Sequence, residues 1–219
     1  MVTRLESVIS LHPDSLPAHL RTQLAALKAK FKAEADVRNA ETGFIWVAFM
    51  NKPPHIDSGM LEVQAAIIAH TLRHTKPTRI IGIPTSGIPL AEQVVIHFPD
   101  AAYVPTRKLT DPHDTVSDWP NAAVFDVFSF TRQANMRMAI KRVEPGERYL
   151  VADDVAAWGH ASKGFFAAIG QNGGIPVGFG VGFEKQFQAG IRTVAVEFNI
   201  PSVAVVTVAG IQNGKVILA

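Results

Sequence analysis

Residues 149–161 read YLVADDVAAWGHA. The apolar run from 148 to 153 predicts a buried strand, and it ends in two adjacent carboxylates, Asp153 and Asp154. Neighbouring acids repel, so a strand end selected only for stability rarely carries them. They are useful where a polyol or a metal-bound diphosphate sits. A turn of small residues follows, in which Gly159 lets the backbone approach a ligand closely. A helix is predicted over 159–172, closed by Gly173-Gly174. Free N–H groups and the dipole at its start favour a phosphate. The competing reading is that Asp153 and Asp154 cap this helix.

Around this segment the chain alternates. Residues 60–72 read as helix, 79–84 as strand, 85–87 as a small-residue turn and 88–97 as helix. A short strand at 102–105 and a hairpin with arms at 123–130 and 136–142 come next, then a strand with alternating glycines at 176–183. Residues 202–211 and 215–218 form a terminal hairpin across Asn213-Gly214. Upstream, Leu20, Leu24, Leu27 and Phe31 recur at helical spacing, with Ser15 as N-cap and Pro17 in the first turn. Residues 39–43 break that helix, and 44–50, FIWVAFM, reads as a buried strand. Strands separated by helix-length segments imply right-handed crossovers and an α/β sheet that is mainly parallel. Ligands of such sheets bind beyond the carboxyl ends of the strands.

The chain has 219 residues, 47% hydrophobic and 18% charged, which is enough for one sizeable core and too little for a second full domain. A net charge of +2 without a basic run fits a small anionic substrate and gives no argument for nucleic acid. The absence of cysteine excludes a disulfide framework, a thiolate metal site and a cysteine nucleophile, and it fits the cytoplasm. There is no signal-peptide pattern, and no apolar run approaches the ~20 residues that span a bilayer.

Against this background, 149–161 resembles the phosphoribosyl pyrophosphate motif of type I phosphoribosyltransferases. There an apolar strand ends in two acids, and the following loop grips the 5′-phosphate. The resemblance implies that Asp153 and Asp154 hold the ribose hydroxyls, and that Ala157, Trp158, Gly159, His160 and Ala161 hold the 5′-phosphate. Ala157 points to the adenine and xanthine branches, because the hypoxanthine-guanine branch usually has a further Asp there. Trp158 and His160 depart from the small or amide-bearing residues usual in this loop.

Residues 183–192, FEKQFQAGIR, follow a strand and resemble the xanthine phosphoribosyltransferase pattern: Glu-Lys, a variable residue, Phe-Gln and a Gly. In that pattern the Lys contacts the purine, and Lys185 is the match. An ammonium only donates, which suits a 6-oxo acceptor and not an exocyclic amine. Without the resemblance, Glu184-Lys185 reads as a surface ion pair. Residues 44–51, FIWVAFMN, align with the segment that carries two base-contacting positions, here Phe44 and Asn51. Asn51 reads equally well as a turn residue before Pro53-Pro54. Thr85, Ser86 and Gly87 match a pyrophosphate-cradling turn, although a capped helix start has the same letters. Arg107 and Lys108 match the Arg-Lys pair of a hood that runs to about residue 120 and covers the leaving diphosphate. Alone, they read as a solvated basic turn. Residues 128–133, FSFTRQ, resemble the hairpin segment after the hood and are read as structural support or a dimer contact.

The resemblance covers roughly 44–218. Residues 1–43 exceed the family pattern and read as an N-terminal helical extension that covers an apolar face or a neighbouring subunit. The resemblance implies that residues 44–219 form a type I phosphoribosyltransferase domain: a central, mainly parallel sheet flanked by helices, with a small hood. The implied reaction transfers the 5-phosphoribosyl group from phosphoribosyl pyrophosphate to a 6-oxopurine, xanthine-like, and releases pyrophosphate. Asp153, Asp154 and Lys185 are the implied catalytic residues. Mg²⁺ is the implied cofactor, bound mainly through substrate, and a homodimer is the usual state. Membrane and nucleic acid are not expected partners. The alternative is a catalytically weak sensor of the same fold that binds nucleotide or phosphoribosyl pyrophosphate. An unrelated nucleotide-binding protein ranks below both, because neither GxxxxGK[ST] nor a GxGxxG after a strand is present.

Overall fold

The computed structural model describes residues 8–50, 56–110, 116–129 and 134–219. β1 (Val8–Ile9) precedes α1 (Ala18–Glu34), and the hairpin of β2 (Ala35–Asn39) and β3 (Phe44–Val47) comes before α2 (Ser58–Leu72). Then follow β4 (Arg79–Gly82), α3 (Gly87–Ile96), β5 (Ala102–Tyr103), β6 (Thr106–Leu109), β7 (Ala123–Ser129) and β8 (Ala134–Ile140). The last elements are β9 (Arg148–Ala156), α4 (His160–Gln171), β10 (Ile175–Lys185), α5 (Gly190–Phe198), β11 (Ser202–Gln212) and β12 (Lys215–Leu218).

The main sheet runs β1-β11-β10-β9-β4-β5 with parallel pairing, and β12 adds antiparallel to β11. This is the expected α/β sheet. Its central strands are buried on both faces, which is why they read as continuous apolar runs. Ile80 and Leu150 point into the core with α1, α2 and α3, while Ile81 and Val151 point into the core with α4 and α5. No helix among the described residues is long and apolar enough to cross a membrane.

The N-terminal helix covers an apolar face of its own chain. Leu20, Leu24, Leu27 and Phe31 are buried, and the Phe31 ring meets Phe183 edge-on at 5.1 Å. Ser15 is not its N-cap: Pro17 holds that position, and the Ser15 hydroxyl donates to the His12 carbonyl at 2.7 Å within a 3-10 turn. Residues 39–43 form the turn of the β2–β3 hairpin, and β3 stops at Val47, short of the predicted 50. The sequence reading does not predict β1, β2, β6 or α5. Ile191, Thr193, Val194 and Val196 give α5 a strand-like composition, and ADVRN in β2 has almost no apolar alternation.

A separate antiparallel sheet, ordered β6-β8-β7, forms the hood. Arg107 and Lys108 lie within β6 and do not open a loop. The Thr106 hydroxyl donates to the Gly82 carbonyl at 2.6 Å and ties the hood to the end of β4. β7 packs on α4: Phe125 meets Phe165 at 4.9 Å, and a Cβ on Gly164 would stand 2.2 Å from Val127. This arm therefore supports the fold within the chain. Residues 130–133 of the FSFTRQ segment lie outside the described residues.

Candidate active site

Parallel pairing with β10 carries β9 past the two acids to Ala156, which stands opposite Glu184. The strand therefore does not end at Asp153. Ladder hydrogen bonds fix the backbone of both acids, and both side chains are buried, at 7% and 4% exposure. They do not cap α4. That helix starts at His160 behind Gly159, which holds the N-cap position at φ 80 with no side-chain cap.

The turn after β4 meets the acids directly. Ser86 sits at the N-cap position of α3 without capping it, and its hydroxyl donates to Asp154 Oδ1 at 2.7 Å. The capped-helix reading of this turn fails for that reason. Gly87 lies against Asp153: a Cβ there would fall 2.7 Å from Oδ1 and 3.0 Å from Cα. Thr85 precedes them, after a cis peptide with Pro84. Thr85, Ser86 and Gly87 thus share one junction with Asp153 and Asp154. Burial, followed by the neighbouring Asp154 charge, pushes the Asp153 carboxyl well above the usual carboxylate range. The Asp154 N–H, donating to Asp153 Oδ1 at 2.9 Å, works against this shift. Such a carboxyl readily gains a proton or a cation.

The loop beyond β9 rests on the first residue of α5. A Cβ on Gly190 would lie 2.1 Å from the Ala157 carbonyl oxygen and 2.8 Å from the Gly159 nitrogen. Sequence reading gave Gly190 no role; the available signal was the glycine that closes the Glu-Lys pattern. Ala157, Trp158, Gly159, His160 and Ala161 line a cavity of about 150 Å³ together with Asp153 and the hood residues Phe128, Ser129 and Met136. The rings of Phe128 and His160 stand edge-on at 6.2 Å. Trp158 borders the cavity and leaves 45% of its surface in solvent. A larger cavity, about 560 Å³, lies at the opposite strand ends beside Arg148, Ile175 and Pro201.

Lys185 ends β10 and is only 8% exposed. Burial lowers its ammonium to about 8, with the Asp154 charge opposing part of that shift. It makes no ion pair among the described residues, so the surface-pair reading fails. Glu184 is also buried; it accepts from the Thr207 hydroxyl at 3.0 Å, and burial raises its carboxyl. Gln188 Nε2 donates to the Thr42 carbonyl at 2.8 Å, and a Cβ on Gly43 would lie 2.9 Å from the Phe187 ring. The hairpin that carries Phe44 is thereby joined to the segment after Lys185. Phe44 is half-buried, with its ring 5.7 Å from Trp46. Asn51 lies outside the described residues.

In the hood, Arg107 is not a solvated basic turn. Its Nη1 and Nη2 donate to Asp118 Oδ1 and Oδ2 at 3.2 and 3.0 Å, and its guanidinium lies 4.1 Å from the Trp119 ring centre. Lys108 follows on β6, opposite Met138.

No family model matches the chain. A xanthine phosphoribosyltransferase of Oenococcus oeni is 27% identical over an alignment of 207 positions that covers 91% of this chain and 93% of that protein. The crystal structure of an adenine phosphoribosyltransferase from Rhodothermus marinus superposes with a TM-score of 0.63 at 20% identity, covering 85% of this chain and 98% of the other. The Giardia lamblia adenine enzyme complexed with 9-deazaadenine gives 0.64 at 15% identity, covering 84% and 97%. The chain thus has the type I phosphoribosyltransferase fold, and its sequence is similar to xanthine phosphoribosyltransferases.

Proposed function

We propose that this chain transfers the 5-phosphoribosyl group of phosphoribosyl pyrophosphate to a 6-oxopurine, xanthine-like, and releases pyrophosphate. The bond from C1 of the ribose to the diphosphate breaks, a bond from C1 to a purine nitrogen forms, and the proton of that nitrogen leaves to water. Positive charge develops on the ribose as the leaving group departs. The work of the protein is then positioning and charge stabilisation.

Asp153 and Asp154 would orient the ribose hydroxyls, with Ser86 holding Asp154. Thr85, Ser86 and Gly87 would cradle the diphosphate, and Arg107 and Lys108 would cover it. Residues 157–161 would hold the 5′-phosphate at the start of α4. Carboxylate and hydroxyl oxygens at the Ser86–Asp154 junction suit Mg²⁺. Among the described residues no group of three acids or imidazoles stands together to cage a metal. Ser86 and Asp154 would help hold Mg²⁺, itself bound mainly through substrate, and it would offset charge on the departing diphosphate.

The observation that carries the 6-oxopurine reading is Lys185: a buried ammonium without an ion-pair partner among the described residues, on the strand next to the acids. It donates and cannot accept, so it suits a 6-oxo group and not an exocyclic amine. The test is pyrophosphate release with Mg²⁺ and a panel of xanthine, guanine, hypoxanthine and adenine. Release is expected with a 6-oxopurine, most with xanthine. Release with adenine alone would overturn the base assignment. A second reading, a family member that binds phosphoribosyl pyrophosphate with little turnover, is favoured by Trp158 and His160 on the loop cavity. Saturable binding with no product from any base would establish it.

A further inference from the structure

We infer that Asp118 and Trp119 form a clamp that positions Arg107 for the leaving diphosphate. This rests on the reading above that Arg107 meets that group. Asp118 takes one end of the guanidinium through two hydrogen bonds, at 3.2 and 3.0 Å, and the Trp119 ring lies 4.1 Å from it. The two contacts together restrain the guanidinium.

A guanidinium has five N–H donors, and the fork to Asp118 uses two of them. Nε and the outward N–H groups remain for phosphate oxygens, so the clamp orients the cation without consuming it. The ordering of a long side chain is then completed during folding, before substrate arrives.

The root of Arg107 is fixed as well. Thr106, its neighbour on β6, bonds to the carbonyl of Gly82, the last residue of β4. The Thr85–Gly87 turn leaves that same strand end. The β6 backbone at Arg107 is thus tied to the end of β4 through Thr106, while its charged end is held by Asp118 and Trp119. Hydrogen bonding to Arg107 also keeps the Asp118 carboxyl below its ordinary range, with Lys141 adding to the effect, so the partner stays anionic through neutral pH. A lysine at 107 would offer neither a plane to stack nor a fork to match.

The experiment is steady-state kinetics of the full chain carrying Asp118→Asn, Trp119→Leu or Arg107→Ala, with KM measured separately for phosphoribosyl pyrophosphate and for the base. Asp118→Asn and Trp119→Leu are expected to raise KM for phosphoribosyl pyrophosphate roughly two- to fivefold, the scale of one exposed charged contact. KM for the base and the melting temperature should stay at wild-type values. Asp118→Glu and Trp119→Phe should recover most of the loss, and Asp118→Asn should add nothing in the Arg107→Ala background. If Arg107→Ala leaves KM for phosphoribosyl pyrophosphate unchanged, Arg107 does not meet the diphosphate and the clamp falls with that reading. If Arg107→Ala raises it while Asp118→Asn and Trp119→Leu leave it unchanged or lower it, the reading stands and the clamp is wrong.

Discussion

Lys185 and Arg107 are the two cations proposed to meet the substrates, and the protein holds them in opposite ways. Lys185 ends β10 in the sheet floor, 8% exposed and without an ion pair among the described residues, and its charge is weakened by burial. Arg107 stands in the hood, more exposed, bound to Asp118 and close to the Trp119 ring. The floor needs no partner to keep its side chain in place, because the β9–β10–β11 ladders set the backbone. The hood is a three-stranded sheet, and its cation is held by side chains. Burial thus tunes the floor cation, while side-chain neighbours position the hood cation.

The largest break in the comparison comes from removing the floor acids. Asp153→Asn with Asp154→Asn is expected to cut pyrophosphate release by roughly 10³-fold, as for loss of preorganised charge at a reacting centre. Stability should move the other way. The folded-state value of Asp153 lies above the unfolded one, so its contribution is fully present at low pH and is lost as pH rises through the raised value. At pH 7 the fold carries that cost, and Asp153→Asn removes it. The single variant should melt at or above the wild-type temperature, at about 2–4 °C per kcal/mol for a domain of this size. Near-normal turnover in the double variant would show that the loop is misassigned.

The next effect separates floor from hood by pH. Lys185 is cationic below about 8 and loses its proton above it. Activity on a 6-oxopurine should therefore decline as pH passes that value, while KM for phosphoribosyl pyrophosphate shows no step there. Lys185→Gln should remove the pH limb and lower kcat/KM for the base roughly 10- to 100-fold, in line with loss of one buried charged contact. A step of equal size in both substrates would put Lys185 outside the base corner.

Much of the floor was legible in the sequence. Long apolar runs ending in acids or small residues mark β4, β9 and β10, because strands buried on both faces need apolar side chains at every position. The order of motifs along the chain also pointed to one site. What stayed hidden was contact. Ser86 and Asp154 are 68 residues apart, and nothing local says that one bonds the other. Arg107 was readable as a cation, but its partners Asp118 and Trp119 come 11 and 12 residues later and follow no periodicity. α5 was hidden by its β-branched residues and β2 by its polarity, since packing overrode propensity in both. Gly190 matters through an absent Cβ, which only the approach of Ala157 reveals.

That contact gives a third, smaller effect. Gly190→Ala places a methyl 2.1 Å from the Ala157 carbonyl oxygen, so the 157–159 backbone must shift. Overpacking of this kind costs about 1–3 kcal/mol. KM for phosphoribosyl pyrophosphate should rise about tenfold, with less change for the base. Gly210→Ala, which meets nothing within 4 Å, is the matched control and should leave both KM values unchanged. If the two alanines behave alike, the seat of the phosphate loop is not at Gly190.

The smallest effect tests whether the hood needs its anchor as well as its clamp. Thr106→Val keeps the β-branched shape and removes only the hydroxyl that reaches the Gly82 carbonyl at 2.6 Å. One such hydrogen bond is worth about 1 kcal/mol. The residue is buried at 7% exposure, so the loss falls on the hood–floor junction and not on solvent contacts. A fall in melting temperature of a few degrees is expected, about 2–4 °C. KM for phosphoribosyl pyrophosphate should rise by less than in Asp118→Asn, because the clamp still holds the charged end of Arg107. A larger rise than in Asp118→Asn would reverse the comparison: hood charge would then be set by the floor through β6, and the side-chain partners would be secondary.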